Sequence, residues 1–301
     1  MLSLLWTPVM IAILALQPTG ALAHPVAGNG ALGHRVVTAA VAVPDSVPGA
    51  WPAASSADGA RRLRLAAIEP APLVTDSVPA GAAKRGLPAV PLSAAMAQAN
   101  AIRQAAALNY LRHAHPAAAK VLLASQQPQV RNYFCGPATV SEMLAQMKVT
   151  LAQLAAASEL RTTQAGTDWS DAGGYPVPRV LNANQKLRSF VAVALPWTPT
   201  AAQIKTFEID LVTDINHGTG VPIAGNAYEV PGGPHLVGHP PGQTIMHWFD
   251  IRGYAQFGAI TEYEDSVHGA TSIGWSAAVP AYSSLSSGTI VNIVGARGYV
   301  W

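Results

Sequence analysis

The sequence predicts an α+β fold with a mostly antiparallel sheet, and three observations carry that prediction. Helical periodicity is confined largely to the first part of the compact region, strand-like runs cluster after it, and Gly/Pro loops separate those runs. Charged residues are only 11% of the 301-residue chain, against roughly 25% in ordinary soluble domains. A net charge of +2, spread without a basic stripe, excludes a nucleic-acid groove.

The elements follow in order. Residues 2–16 are almost wholly apolar, and Gln17, Pro18 and Gly20 break the run before Ala21-Leu22-Ala23, a small-x-small cleavage signature. About 15 apolar residues fall short of the roughly 20 that a spanning helix needs. The expectation is therefore a signal peptide over 1–23, cleavage after Ala23, a secreted product and no membrane association thereafter. No Lys or Arg precedes the run, so the α-amino group alone supplies its positive end, and an uncleaved anchor is the alternative. Residues 24–92 are rich in Ala and Pro without a period of two or 3.6, which predicts a spacer or pro-segment.

From Ser93 good helix formers predict a lead-in helix over 93–117, with Met96, Ile102, Ala106, Leu108 and Leu111 along one face. It either packs on the domain or belongs to a pro-region. The compact domain is expected over 118–301, beginning with the strand-like AKVLLAS. Pro137 opens a helix with Val140, Met143, Leu144 and Met147 at i, i+3, i+4, i+7. A second helix is predicted from about Leu151 to Leu160. A third starts at the Thr200-x-x-Gln203 capping box, buries Ile204, Phe207, Leu211 and Ile215, and ends before Gly218. Strands are predicted at 190–195, 221–230, 244–255, 259–265 and 289–296.

The chain has one cysteine. Cys135 stands just before the predicted helix, whose unpaired amides and positive dipole end favour a thiolate. Gly136 would admit a substrate close to the backbone, and Gln129, six residues upstream, carries an amide able to donate to an oxyanion. The plain alternative is a buried cysteine at a helix start.

Nine histidines offer a partner base. His24 and His34 fall in the spacer, and His113 and His115 precede the domain. His217 follows a helix and is expected at its terminal carbonyls, and His268 lies in a turn. His235 and His239 sit in the Pro/Gly loop PGGPHLVGHPPG, where a metal site built on the pair lacks further ligands at suitable spacing. His247 occupies a strand in which alternation sets His247, Phe249 and Ile251 on one face, with Trp248, Asp250 and Arg252 on the other. A rigid strand is a suitable mount for a general base. Its orienting partner must come from Glu264-Asp265, returned by the hairpin through Gly253 and Gly258. Asp265 is the better candidate, although alternation alone does not choose between them.

Gln129…Cys135-Gly-Pro-Ala-Thr, His247-Trp-Phe-Asp-Ile-Arg-Gly-Tyr and Glu264-Asp265-Ser-Val-His-Gly together resemble the papain-like cysteine peptidases of the bacteriocin-processing, double-glycine-leader group, family thirty-nine of the cysteine peptidases. The likeness spans about 121–301 and is nearest to the free-standing secreted branch. It implies a papain-like fold, with Cys135 as nucleophile, His247 as base, Asp265 as orienter and Gln129 as oxyanion donor. Ser266 stands where the family often has proline, and Phe134 where it often has a polar residue. The family's exporter-fused members act on leader peptides, but nothing in this chain resembles an exporter.

The implied activity is hydrolysis of peptide or other amide bonds by a secreted thiol enzyme, without metal or organic cofactor. Its partners would be peptide, protein or cell-wall material. Two alternatives stand beside it: a catalytically silent module binding peptide or cell-wall material through Trp169, Trp248 and Trp275, or a transpeptidase or acyltransferase using the same residues.

Overall fold

A computed structural model describes residues 91–301. The expected signal peptide and nearly all of the expected spacer lie outside the described residues. No described helix is long and apolar enough to cross a membrane.

Helix α1 (Ala94–His113) starts at Ser93, whose hydroxyl accepts the Met96 N–H at 3.3 Å. Its inward face is only partly the apolar one expected: Met96 and Leu111 pack against the core. Ile102 and Leu108 are exposed, whereas Asn100, Arg103 and Ala107 are buried. Polar anchors explain the difference. Arg103 donates to both carboxylate oxygens of Asp214 at 2.6 and 2.8 Å and to the Ser189 carbonyl at 2.7 Å, while Asn100 accepts the Trp301 indole N–H at 2.8 Å. A periodicity search for apolar residues cannot find a face held in this way.

Five more helices follow: α2 (Cys135–Gln146), α3 (Gln153–Leu160), α4 (Pro176–Asn184), α5 (Ala201–Asn216) and α6 (Ser287–Ile293). The Thr200/Gln203 capping box of α5 forms as expected. Four elements depart from expectation: α6 forms where a strand is predicted, and helix α4 and strands at Tyr282–Ser286 and Gly298–Val300 form where no element is predicted. The run at 289–296 is helical through Ile293 because Ser286 caps the Thr289 N–H at 3.1 Å, and a short apolar run fits either period. No element is predicted over α4, whose two prolines stand in its first turn, where no intrahelical N–H bond is lost.

The strands are β1 (Lys120–Val121), β2 (Ala192–Ala194), β3 (Ile223–Glu229), β4 (Ile245–Ala255), β5 (Ile260–Glu264), β6 (Tyr282–Ser286) and β7 (Gly298–Val300). They form an antiparallel sheet ordered β2-β7-β3-β4-β5-β6, with β1 also paired to β4. The architecture is α+β, as the sequence predicts. Strand β4 alternates between two apolar clusters. Phe249 and Ile251 join Phe207, Leu211 and Tyr263, while Trp248 joins Val140, Met143, Leu144 and Leu181. Gly225 lies opposite Phe249, and a Cβ there would stand 2.3 Å from the phenyl ring. The sheet is thus clasped on both sides.

Candidate active site

Helix α2 opens at Cys135, two residues earlier than Pro137 leads one to expect, so the thiol rides on its first residue. The Cys135 N–H is therefore among the amides without an intrahelical acceptor. The sulfur sits beside His247 and the backbone N–H groups of Gly136 and Trp248, close enough for all three to favour its ionised form. The space beside Gly136 belongs to Thr167 rather than to an approaching substrate. A Cβ on Gly136 would lie 2.6 Å from the Thr167 Cβ.

His247 stands opposite Ala227 on β3. Its Nε2 lies 3.0 Å from Asp265 Oδ1. An ionised carboxylate only accepts, so Nε2 carries a proton and Nδ1 is left for the sulfur. The register answers the question left open by alternation. Glu264 lies opposite Asp250 and Tyr263 opposite Ile251. Glu264 therefore shares the Asp250 face, whereas Asp265, two residues beyond Tyr263, shares that of Ile251 and His247. The Val267 N–H adds a 2.9 Å bond to Asp265 Oδ1. Cys135, His247 and Asp265 are thereby joined in one buried row.

The electrostatics of the row are mutual. Burial opposes ionisation of Cys135, but the hydrogen bond and positive charge of His247 and the two backbone amides outweigh it and hold the thiol below its usual range. Burial also works against protonation of His247, yet the charge and hydrogen bond of Asp265, with Cys135, raise it well above the usual imidazole value. Asp265 is buried too, and the charges and hydrogen bonds of His247 and His239 pull its carboxyl far below the ordinary range. Each of the three shifts favours the charged form of its group, and each depends on its neighbours in the row.

Gln129 is buried, and one amide hydrogen goes to the Arg131 carbonyl at 2.8 Å. Its Oε1 accepts the Ser266 hydroxyl at 3.3 Å, and its N–H donates to the Ser266 carbonyl at 2.8 Å. The residue after Asp265 thus ties the carboxylate loop to the Gln129 loop. Phe134 is buried, with the Arg131 guanidinium 5.6 Å from its ring.

Sequence reasoning passed over His239 as a loop histidine. The structure buries it with Nε2 3.0 Å from Asp265 Oδ2 and Nδ1 2.9 Å from Glu229 Oε2. Only the alternation of β3, which puts Glu229 on the face of Ala227 and hence of His247, hinted at a polar partner. His235 is elsewhere engaged, its ring nitrogens lying 2.9 and 3.1 Å from the Gly233 and Gln243 carbonyls. His217 bonds Asp214 through its backbone N–H, and the His268 ring meets the Val279 carbonyl at 2.8 Å. Two of the three tryptophans expected of a binding platform are core residues. Trp169 and Trp248 are 5% and 3% exposed and stack at 5.8 Å, which leaves Trp275 half-buried against His239.

Among the described residues, two groups bring potential metal-ligand atoms within 4.8 Å of one another: His239, His247 and Asp265, and Glu142, Asp250 and Glu264. In the first, a cation would have to displace both imidazole–carboxylate bonds. In the second, Gln146 Nε2 already donates to Asp250 Oδ2 at 2.7 Å and to Glu264 Oε1 at 3.3 Å. A separate cavity of about 930 Å³ lies between the ends of α2, α4 and α5, lined by Lys148, Lys186, Arg188 and His217 and by none of the row's residues.

No family model and no curated protein matches the sequence. Among solved structures the chain is similar to a Bacillus anthracis protein described as C39-like peptidase, at 14% identity and a TM-score of 0.36, over 60% of this chain and 96% of the other. It is also similar to digestive procathepsin L 3 of Tenebrio molitor larval midgut, at 12% identity and a TM-score of 0.37, over 62% and 70% of the respective chains.

Proposed function

We propose that this protein is an exported, papain-like cysteine peptidase acting on peptide or protein substrates, with a Cys135–His247–Asp265 triad. The observation that carries the reading is the buried row itself: a thiol on the first residue of α2, set beside an imidazole whose Nε2 is held by a carboxylate 3.0 Å away. A buried cysteine that merely fills space has no use for an imidazolium or for a second buried charge behind it.

In the proposed reaction the Cys135 thiolate attacks the scissile carbonyl carbon and forms the S–C bond. Charge then develops on the carbonyl oxygen, where the Cys135 N–H and the second amide hydrogen of Gln129 would donate. His247 gives its Nδ1 proton to the leaving amine as the C–N bond breaks. It next takes a proton from water, whose oxygen attacks the acyl carbon and returns the sulfur to thiolate. Asp265 stays ionised throughout and holds the ring through Nε2–H. Export rests on the apolar run at 2–16 and the Ala21-Leu22-Ala23 signature.

The test is the rate of iodoacetamide alkylation of Cys135 near pH 6.5, compared with a free model thiol and with His247→Ala. The reading expects wild type to react at least about tenfold faster than both, since the ordinary thiol near 8.5 is scarcely ionised there. Equal rates in wild type and His247→Ala would overturn it.

A further inference from the structure

The row of charges does not stop at Asp265. Behind it stands His239, bonded by Nε2 to Asp265 Oδ2 at 3.0 Å and by Nδ1 to Glu229 Oε2 at 2.9 Å, with all three side chains essentially inaccessible to water. Both partners are carboxylates, which accept only, so each ring nitrogen of His239 must supply a proton. Every carboxylate oxygen then has a donor. Glu229 Oε1 takes the Leu236 N–H at 2.8 Å, and Asp265 Oδ1 takes His247 Nε2 and the Val267 N–H. The His239 ring is itself fixed, with the Trp275 and His247 rings at 4.8 and 5.3 Å in edge-on contact.

We infer that His239 and Glu229 are positioning residues for the reaction: they lock the plane of the Asp265 carboxylate so that Oδ1 addresses His247, and keep that carboxylate ionised. The inference rests on the triad reading above and extends it by two residues. Without the Oδ2 bond, one oxygen of a buried carboxylate has no donor, and the side chain either rotates to find one or takes up a proton. Either response loosens the hold on His247 Nε2–H and weakens the thiolate. Glu229 sets the charge of His239, because a buried imidazolium facing Asp265 and His247 alone would meet one carboxylate and a second cation. Two further titratable groups stand nearby: Tyr263, whose hydroxyl accepts the Val237 N–H at 2.9 Å and which burial keeps as a neutral phenol, and Glu142, which burial and then Glu264 raise well above the ordinary carboxyl range and which also feels the charges of Asp265 and His247.

The experiment measures iodoacetamide alkylation of Cys135 across pH 4–10 in wild type, His239→Ala, His239→Gln and the double variant His239→Gln/Glu229→Gln. Circular dichroism and thermal melting report folding. The folded single variants should react about tenfold to a hundredfold more slowly at pH 6, with the acid limb moved to higher pH. The double variant should recover part of that loss, since the amide introduced at position 239 can donate to Asp265 and accept from the amide introduced at position 229. Folded single variants with the wild-type profile would overturn the inference while leaving the triad intact. A wild-type profile like that of an ordinary thiol would instead overturn the triad reading, and this inference with it. Nitrogen-15 spectra of histidine-labelled wild type supply a measurement that needs no variant. Both His239 ring nitrogens should be protonated at pH 7, and a neutral ring with one bare nitrogen would refute the clamp.

Discussion

Asp250 and Glu264 stand directly opposite each other across the β4–β5 ladder, both fully buried, with Glu142 of α2 completing a trio of carboxyls within reach of one another. This pairing turns Glu264 away from His247 and thereby selects Asp265. It also gathers the carboxyls on the side of the sheet that α2 covers, against Arg252, whose Nε lies 3.6 Å from Glu264.

The trio predicts a stability effect. Burial, then the neighbouring Glu264, raises the carboxyls of Glu142 and Asp250 well above their ordinary range. A raised acid holds in the folded state a proton that it has lost in the unfolded chain. The penalty is therefore absent below about pH 4 and grows as pH rises toward the folded values. Asp250→Asn should stabilise the protein at pH 7 by about 1 kcal/mol, a rise in Tm of roughly 2–4 °C, and should flatten the fall in stability above pH 4. Calorimetry at pH 4 and pH 7 checks both effects, and equal stability of the two proteins at pH 7 would contradict the first.

Gln129 separates binding of the oxyanion from activation of the thiol. Gln129→Ala should leave iodoacetamide alkylation within about twofold of wild type, because alkylation forms no oxyanion. Turnover of a peptide or ester substrate should fall about 100- to 1,000-fold. Loss of both would assign Gln129 to the packing of the Ser266 loop instead.

The pH profile of thiol reactivity follows from the two members of the ion pair. Cys135 lies below its usual range, so the acid limb should fall below the ordinary thiol value, and His247 lies above its usual range, so the pair should persist above pH 6.5. Asp265, far below the ordinary carboxylate range, should contribute no limb between pH 5 and 9. Asp265→Asn keeps the shape but removes the charge. Its acid limb should move up, with alkylation at pH 6 slowed about tenfold or more. Stopped-flow alkylation across pH measures the limb, and an unmoved limb would remove Asp265 from the row.

Gly136→Ala should destabilise the domain by about 1–3 kcal/mol, since its Cβ would press on Thr167 and no rotamer of Thr167 moves its own Cβ away. Thr167→Gly in the same chain should restore part of the loss. Chemical denaturation of the single and double variants tests the pairing, and additive effects would show that the two positions do not touch.

Much of this site can be read along the chain because its signals are local. Cys135 precedes an amphipathic run, Gln129 lies six residues upstream, and strand alternation separates Phe249 and Ile251 from Trp248. The misreadings are local ambiguities. The run at 289–296 satisfies both periods until the Ser286 cap is seen, and α1 is anchored in part by Asn100 and Arg103, polar residues that no apolar count would choose.

Residue order alone carries the α+β class, a helix start beside Cys135, the His247 strand and the narrowing to two adjacent carboxyls. Chain packing adds that Asp265 faces His247 while Glu264 turns to Asp250, and that His239 and Glu229 stand behind. The reason is that register and loop return are non-local. A one-residue slip exchanges the two faces of a strand, and a Pro/Gly loop carries no period from which its destination could be read.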